Sequence, residues 1–215
     1  MTAKPAGSLG RAAVGLAAVA LLVAGCLGGL QRSAPQQERY ALAPQRDGDG
    51  VGPGRGGLYI ERVEVSPLFE REGFVYRVGA NRYESDFYRQ FFVPPGSMVR
   101  ESLRAWLAAS MLFDPVDAGR AGGASWRLAS RVDELYADLR EPASPRAIVA
   151  IAFELRPASP HGEIAFAKAY AASEAARDDS PAALADSWSR ALARVYGALE
   201  GDLRAASFDR PAARR

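Results

Sequence analysis

The sequence predicts an α/β fold: a single domain with a mixed, largely antiparallel sheet of about five strands and two long amphipathic helices packed on it. Three observations predict it. Ala147, Val149, Ile151, Phe153 and Leu155 alternate with smaller or polar residues, the period-2 pattern of a half-buried strand. Leu184, Trp188, Leu192, Val195, Tyr196, Leu199 and Leu203 form one stripe at helical spacing. Two aromatic-rich runs flank Gly79-Ala80-Asn81, as in a β-hairpin.

In chain order, Leu58 to Val65 is β-like, its apolar face shifting from Leu58 and Ile60 to Val63 and Val65 before Pro67 ends it. Phe74 to Val78 and Tyr83 to Val93 are the two arms of the hairpin. Pro94-Pro95-Gly96-Ser97 stops the second arm, and Val99, Leu103, Trp106 and Leu107 then keep helical spacing to an end near Phe113. Gly119 to Gly123 is a loop. Trp126, Leu128, Ser130 and Val132 alternate, then the parity switches to Leu135 and Leu139, which calls for a bulge or bend near Glu134. Ile164 to Ala171 is helical by its alanine content but alternates with period 2; a hairpin with the preceding strand favours β. Ser180 is a good N-cap and Pro181 suits the first turn of the last helix.

The N-terminus has a different logic. Lys4 and Arg11 precede an apolar run ending Val23-Ala24-Gly25, the layout of a secretory signal. The run is short for a transmembrane helix, which needs ~20 apolar residues. Cys26, the only cysteine, directly follows it. This resembles a bacterial lipobox, with cleavage before Cys26 and acylation of its thiol. Residues 1–25 are then a signal peptide and 26–57 an acylated cysteine with a glycine-rich flexible tether. Such a tether of ~30 residues reaches ~30 Å. Within it Tyr40-Ala41-Leu42 is an apolar island able to dock on the domain. The domain itself spans 58–206, and 207–215 is a frayed tail. The full chain of 215 residues carries a formal charge of +2, which the signal accounts for through Lys4 and Arg11. The mature side chains sum to zero, so no net field points to nucleic acid.

Catalytic and metal-binding patterns are sparse. One histidine, His161, lies in a turn, and one histidine with one acylated cysteine makes no metal set. Gly52, Gly54 and Gly57 spell a G-x-G-x-x-G string, but it precedes a strand and opens no helix, so it lacks the dinucleotide-binding context. Asp133-Glu134 and Asp178-Asp179 read as structural acid pairs, the second placed to favour a helix N-terminus. No catalytic residue, cofactor site or metal site is expected. The aromatic density from Phe69 to Phe92 stands out. About half of a two-faced hairpin is core. The candidates for a partner or lipid surface are Tyr76, Tyr83, Phe87, Tyr88, Phe91 and Phe92.

The order of these pieces resembles the auxiliary lipoproteins of ABC-type transporters, the family that includes the paraquat-inducible-operon lipoproteins. The residues that carry the resemblance are Cys26, Tyr40-Ala41-Leu42, Val65-Ser66-Pro67, Phe74-Val75-Tyr76-Arg77, Arg82-Tyr83-Glu84, Asp86-Phe87-Tyr88, Phe91, Pro94-Pro95, Trp106-Leu107, Phe113 and Val116. One departure is the absence of a tryptophan around Gln90-Phe91. The resemblance implies a non-enzymatic periplasmic domain of α/β architecture, held to the membrane by acylated Cys26. It further implies a mammalian-cell-entry (MCE) type protein and an ABC permease and ATPase as partners in lipid transport between membranes, and a homo-oligomer. Leu27 after Cys26 lacks the aspartate of inner-membrane retention, which favours the outer membrane. The alternative is a periplasmic lipid carrier with an apolar cleft between sheet and helices.

Overall fold

Two long strands, β6 (Trp126–Asp138) and β7 (Arg146–Pro157), carry the sheet. The computed structural model describes residues 36–50, 52, 54–117, 124–159 and 162–208. Leu128, Val132, Ile151, Phe153 and Leu155 are buried on one face, and the antiparallel register sets Leu128 opposite Leu155 and Val132 opposite Ile151. Val132 faces Ile151 while Glu134 faces Ala150, so Asp133 is the extra residue of a β-bulge. The bulge returns Leu135 and Ala137 to the buried face, as the parity switch requires. β8 (Phe166–Ala175) pairs antiparallel with β7, so sheet pairing overrides the helix propensity of its alanines.

The hairpin forms from β4 (Gly73–Arg77) and β5 (Tyr83–Phe91), and β4 joins β6 in parallel through Tyr76 and Ala137. Among the described residues the sheet has eight strands, which corrects the expectation of about five. β1 (Glu38–Tyr40) pairs in parallel with β5 from within the segment expected as tether. Leu58 to Val65 is two strands, β2 (Leu58–Ile60) and β3 (Glu64–Val65), both parallel to β6. Ile60 faces Leu128 but Glu64 faces Arg131. The register thus slips by one residue between them, which is the shift of apolar face seen in the sequence. One long edge of β6 therefore serves β2, β3 and β4 in turn, and the other serves β7. The sheet is mixed, with its longest ladders antiparallel.

The described residues contain two helices, α1 (Pro95–Ala109) and α2 (Pro181–Ala205). Ser180 caps α2 by accepting from the Ala183 amide, and Pro181 fills the first turn. α2 lies against β7 and β8, and α1 packs on α2 and β3. α2 buries Trp188, Leu192, Tyr196 and Leu199, all 0% exposed, and the Trp188 indole donates to the Tyr136 carbonyl of β6 at 3.1 Å. The Trp106 and Tyr196 rings meet edge to face at 5.6 Å, and the Ser102 and Tyr196 hydroxyls are 2.9 Å apart. α1 ends at Ala109, short of the expected Phe113, because Met111 takes a left-handed φ of 56°. That reversal lets Leu112 and Phe113 enter the core from a turn instead of a helix.

The expected signal peptide, Cys26, the Gly119–Gly123 loop, His161 and residues 209–215 lie outside the described residues. No helix among the described residues is long and apolar enough to cross a membrane.

Candidate functional site

The hairpin separates the candidate aromatics into two groups. Phe91 is 2% exposed and belongs to the core, with Phe74 at 4.7 Å and Trp188 at 5.4 Å. Tyr83 packs on the far side of the sheet against Phe69 and Tyr136, at 6.4 and 5.6 Å. Tyr76 is half-buried and donates its hydroxyl to Asp86 Oδ2 at 3.1 Å. Burial and the Asp86 carboxylate both push the Tyr76 pKa up, so the phenol keeps its proton. Phe87, Tyr88 and Phe92 are 67%, 37% and 61% exposed. Only these three of the six candidates present large apolar area to solvent.

Phe87 and Tyr88 do so because β5 leaves its ladder with β4. Gly73 faces Gln90, and Val75 faces Ser85. Asp86 to Arg89 therefore bulge out opposite a single β4 residue, Phe74. Asp86 holds this excursion: its Oδ1 accepts from the amides of Tyr88 at 2.8 Å and Arg89 at 3.0 Å. Gln90 Nε2 donates to the Phe87 carbonyl at 2.9 Å. The Phe87 and Tyr88 rings pack edge to face at 5.3 Å. Gly73 is needed beneath, since a Cβ there would lie 2.5 Å from the Asp86 carbonyl oxygen. The sequence signal for the excursion was aspartate inside an aromatic strand, a residue that disfavours strands and hydrogen-bonds its own backbone.

A second polar centre was not legible from spacing. Glu200, 8% exposed on α2, accepts from Arg46 Nη2 at 2.8 Å, Arg204 Nη2 at 2.7 Å and Trp106 Nε1 at 2.8 Å. Burial pushes its pKa up, but the bonds from Arg46, Arg204 and Trp106 outweigh this and bring it down to about 2. The carboxylate thus fastens the 42–46 segment, whose Leu42 is in the core, onto both helices. Arg55 likewise donates to the carbonyls of Arg204 and Ala206 at the end of α2 and lies over the Phe208 ring. The glycine-rich run is held by backbone bonds, among them the Gly57 carbonyl accepting from Ser125 and Trp126. A Cβ on Gly50 would collide with the Ala109 carbonyl oxygen, so glycine lets the chain pass close to the end of α1.

In each acid pair one carboxylate makes a local bond. Asp178 Oδ1 accepts from the Ser180 amide at 3.0 Å, beside the N-terminus of α2. Asp133 binds Arg131 at the β6 bulge. Among the described residues no group of three or more His, Cys, Asp or Glu side chains could hold a metal.

A family model described as "ABC-type transport auxiliary lipoprotein component" matches residues 40–199. Comparison with curated proteins gives no match. Among solved structures, the chain is similar to protein XCC0632 from Xanthomonas campestris, of the DUF330 family. The TM-score is 0.67 at 15% identity, covering 79% of this chain and all of that one. A second similar structure, an uncharacterized protein, gives a TM-score of 0.61 at 15% identity, covering 80% of this chain and 99% of the other. At these identities the likeness shows the fold.

Proposed function

The chain belongs to the ABC-type transport auxiliary lipoprotein family, and from that premise we propose that it is an acylated periplasmic lipoprotein, a non-catalytic part of an ABC/MCE-type system that moves lipids between the inner and outer membranes. The observation that carries the proposal is the family match over residues 40–199, which runs from β1 through most of α2 and so includes the whole aromatic hairpin. The lipobox-like run ending at Cys26 supports acylation, and Leu27 supports residence in the outer membrane. The exposed rings of Phe87, Tyr88 and Phe92 supply apolar contact area without reactive groups.

The lipid-carrier alternative needs an apolar cleft between sheet and helices. On that side of the sheet Trp188 packs on Phe74 and Phe91 and bonds the Tyr136 carbonyl, and Leu192 and Leu199 of the same stripe are fully buried. The proposal is tested by affinity isolation from detergent-solubilised envelopes at native expression. An MCE-type protein or its permease is expected in the eluate; recovery of neither contradicts the transport role. A stoichiometric lipid in native mass spectra of the soluble domain would favour the carrier instead.

A further inference from the structure

β1 runs parallel to β5, with Glu38 opposite Arg89 and Tyr40 opposite Phe91. In a parallel ladder, moving backwards along one strand means moving backwards along the other. The chain before Glu38 therefore leaves the domain beside Tyr88 and Phe87, at the excursion held by Asp86. Phe92 is fixed to the other end of β1, its amide donating to the Tyr40 carbonyl at 2.8 Å. Phe87 and Tyr88 thus precede the residue that faces the start of β1, and Phe92 lies at its end.

Only eleven residue steps separate Cys26 from Gln37. Whatever their conformation, they span at most ~40 Å. An acyl group on Cys26 would keep this corner of the domain at or near the bilayer. Aromatic side chains favour the membrane–water boundary, where an apolar ring can be buried beside polar headgroups. The charges at the corner are balanced: Arg89 lies 4.0 Å from Glu38 and 3.8 Å from Asp86, and Arg82 pairs with Glu84. An anionic surface is therefore not needed to hold it.

We propose that Phe87, Tyr88 and Phe92 form a membrane-contacting tip that seats the domain on the lipid surface beside its own anchor. The tip fixes the orientation of the domain, with the β1–β5 edge toward the bilayer and the β8 edge away from it. This rests on the anchored-lipoprotein reading above and extends it from a tether to an oriented seat.

The test uses the full mature lipoprotein carrying Phe87→Trp, reconstituted in phosphatidylcholine vesicles with and without brominated acyl chains. The native Trp106, Trp126 and Trp188 are 7%, 2% and 0% exposed, so they give a nearly constant background. The new indole is expected to shift to the blue and to be quenched by the bromolipid, unchanged by added salt. Ala169→Trp, on the exposed side of β8, is expected to stay unquenched. Intact mass and vesicle flotation are read on the same samples. Acylated, floating protein with no extra quenching at position 87, or with equal quenching at both positions, overturns the tip while the anchor stands. Protein that neither carries acyl chains nor floats overturns the anchor and the tip together. A blue shift that depends on protein concentration without vesicles makes a second copy the occupant and also overturns the proposal.

Discussion

Replacing Glu200 with glutamine removes the charge of the clasp and keeps its shape. In the native fold the Glu200 pKa falls from 4.5 to about 2. A displacement of that size, at ~1.4 kcal/mol per pH unit, corresponds to ~3 kcal/mol of stability. The group is nearly buried, so solvent screening removes little of it. Its folded pKa lies below its unfolded value. The stabilisation is therefore complete above pH ~4.5 and is lost as the pH falls from there toward ~2. Urea unfolding followed by tryptophan fluorescence, on wild type and Glu200→Gln from pH 7 down to pH 2.5, reads it directly. The wild type is expected to be ~3 kcal/mol more stable at pH 7, with the gap closing steadily below pH 4.5. Other depressed carboxylates, such as Asp138 beside Arg140 and Asp202 beside Lys168, titrate in both proteins and cancel in the difference. A gap that is absent, or constant across the range, would show that the Glu200 charge does not hold the clasp. The outcome bears on function because the same carboxylate holds Arg46 and, through it, the chain leading back to β1.

Gly73→Ala forces a Cβ to 2.5 Å from the Asp86 carbonyl oxygen and 2.8 Å from Ser85 Oγ. It is expected to cost ~1–3 kcal/mol and to raise hydrogen exchange at the Tyr88 and Arg89 amides; native stability and protection would show that the excursion does not need the close approach. Ser180→Ala removes the acceptor for the Ala183 amide. The loss of ~1 kcal/mol lowers the melting temperature by ~2–4 °C in calorimetry; an unchanged midpoint would discount the cap.

The parts legible in the sequence were those whose signal is local. α2 announced itself by its stripe and by Ser180-Pro181, and β7 by strict alternation. The β6 bulge followed from a parity switch. What was missed depends on distant partners. β1, three residues long, exists because β5 offers it an edge, and so short a run carries no period; Leu58 to Val65 read as β, but its division into β2 and β3 depends on the register against β6. The end of α1 was placed too late because Leu112 and Phe113 continue the apolar pattern while the backbone turns at Met111. The aromatic cluster was visible, but its division was not. Phe91 is buried and Phe92 exposed, and the excursion of Asp86 to Arg89 from the β4 ladder shifts the phase between Phe87 and Phe91. The Glu200 clasp joins residues 46, 106, 200 and 204, a constellation that only the fold assembles.

In the proposed role, an acylated Cys26 holds this domain in the envelope as part of a lipid-transport system. Fractionation of cells expressing wild type or Cys26→Ala, with intact mass of the mature protein and identification of its co-purifying partners, tests it most directly. Acylated wild-type protein is expected in the outer-membrane fraction together with an MCE-type partner, and the unacylated variant is expected to have left the membrane. A soluble, unacylated wild-type protein with no such partner would contradict it.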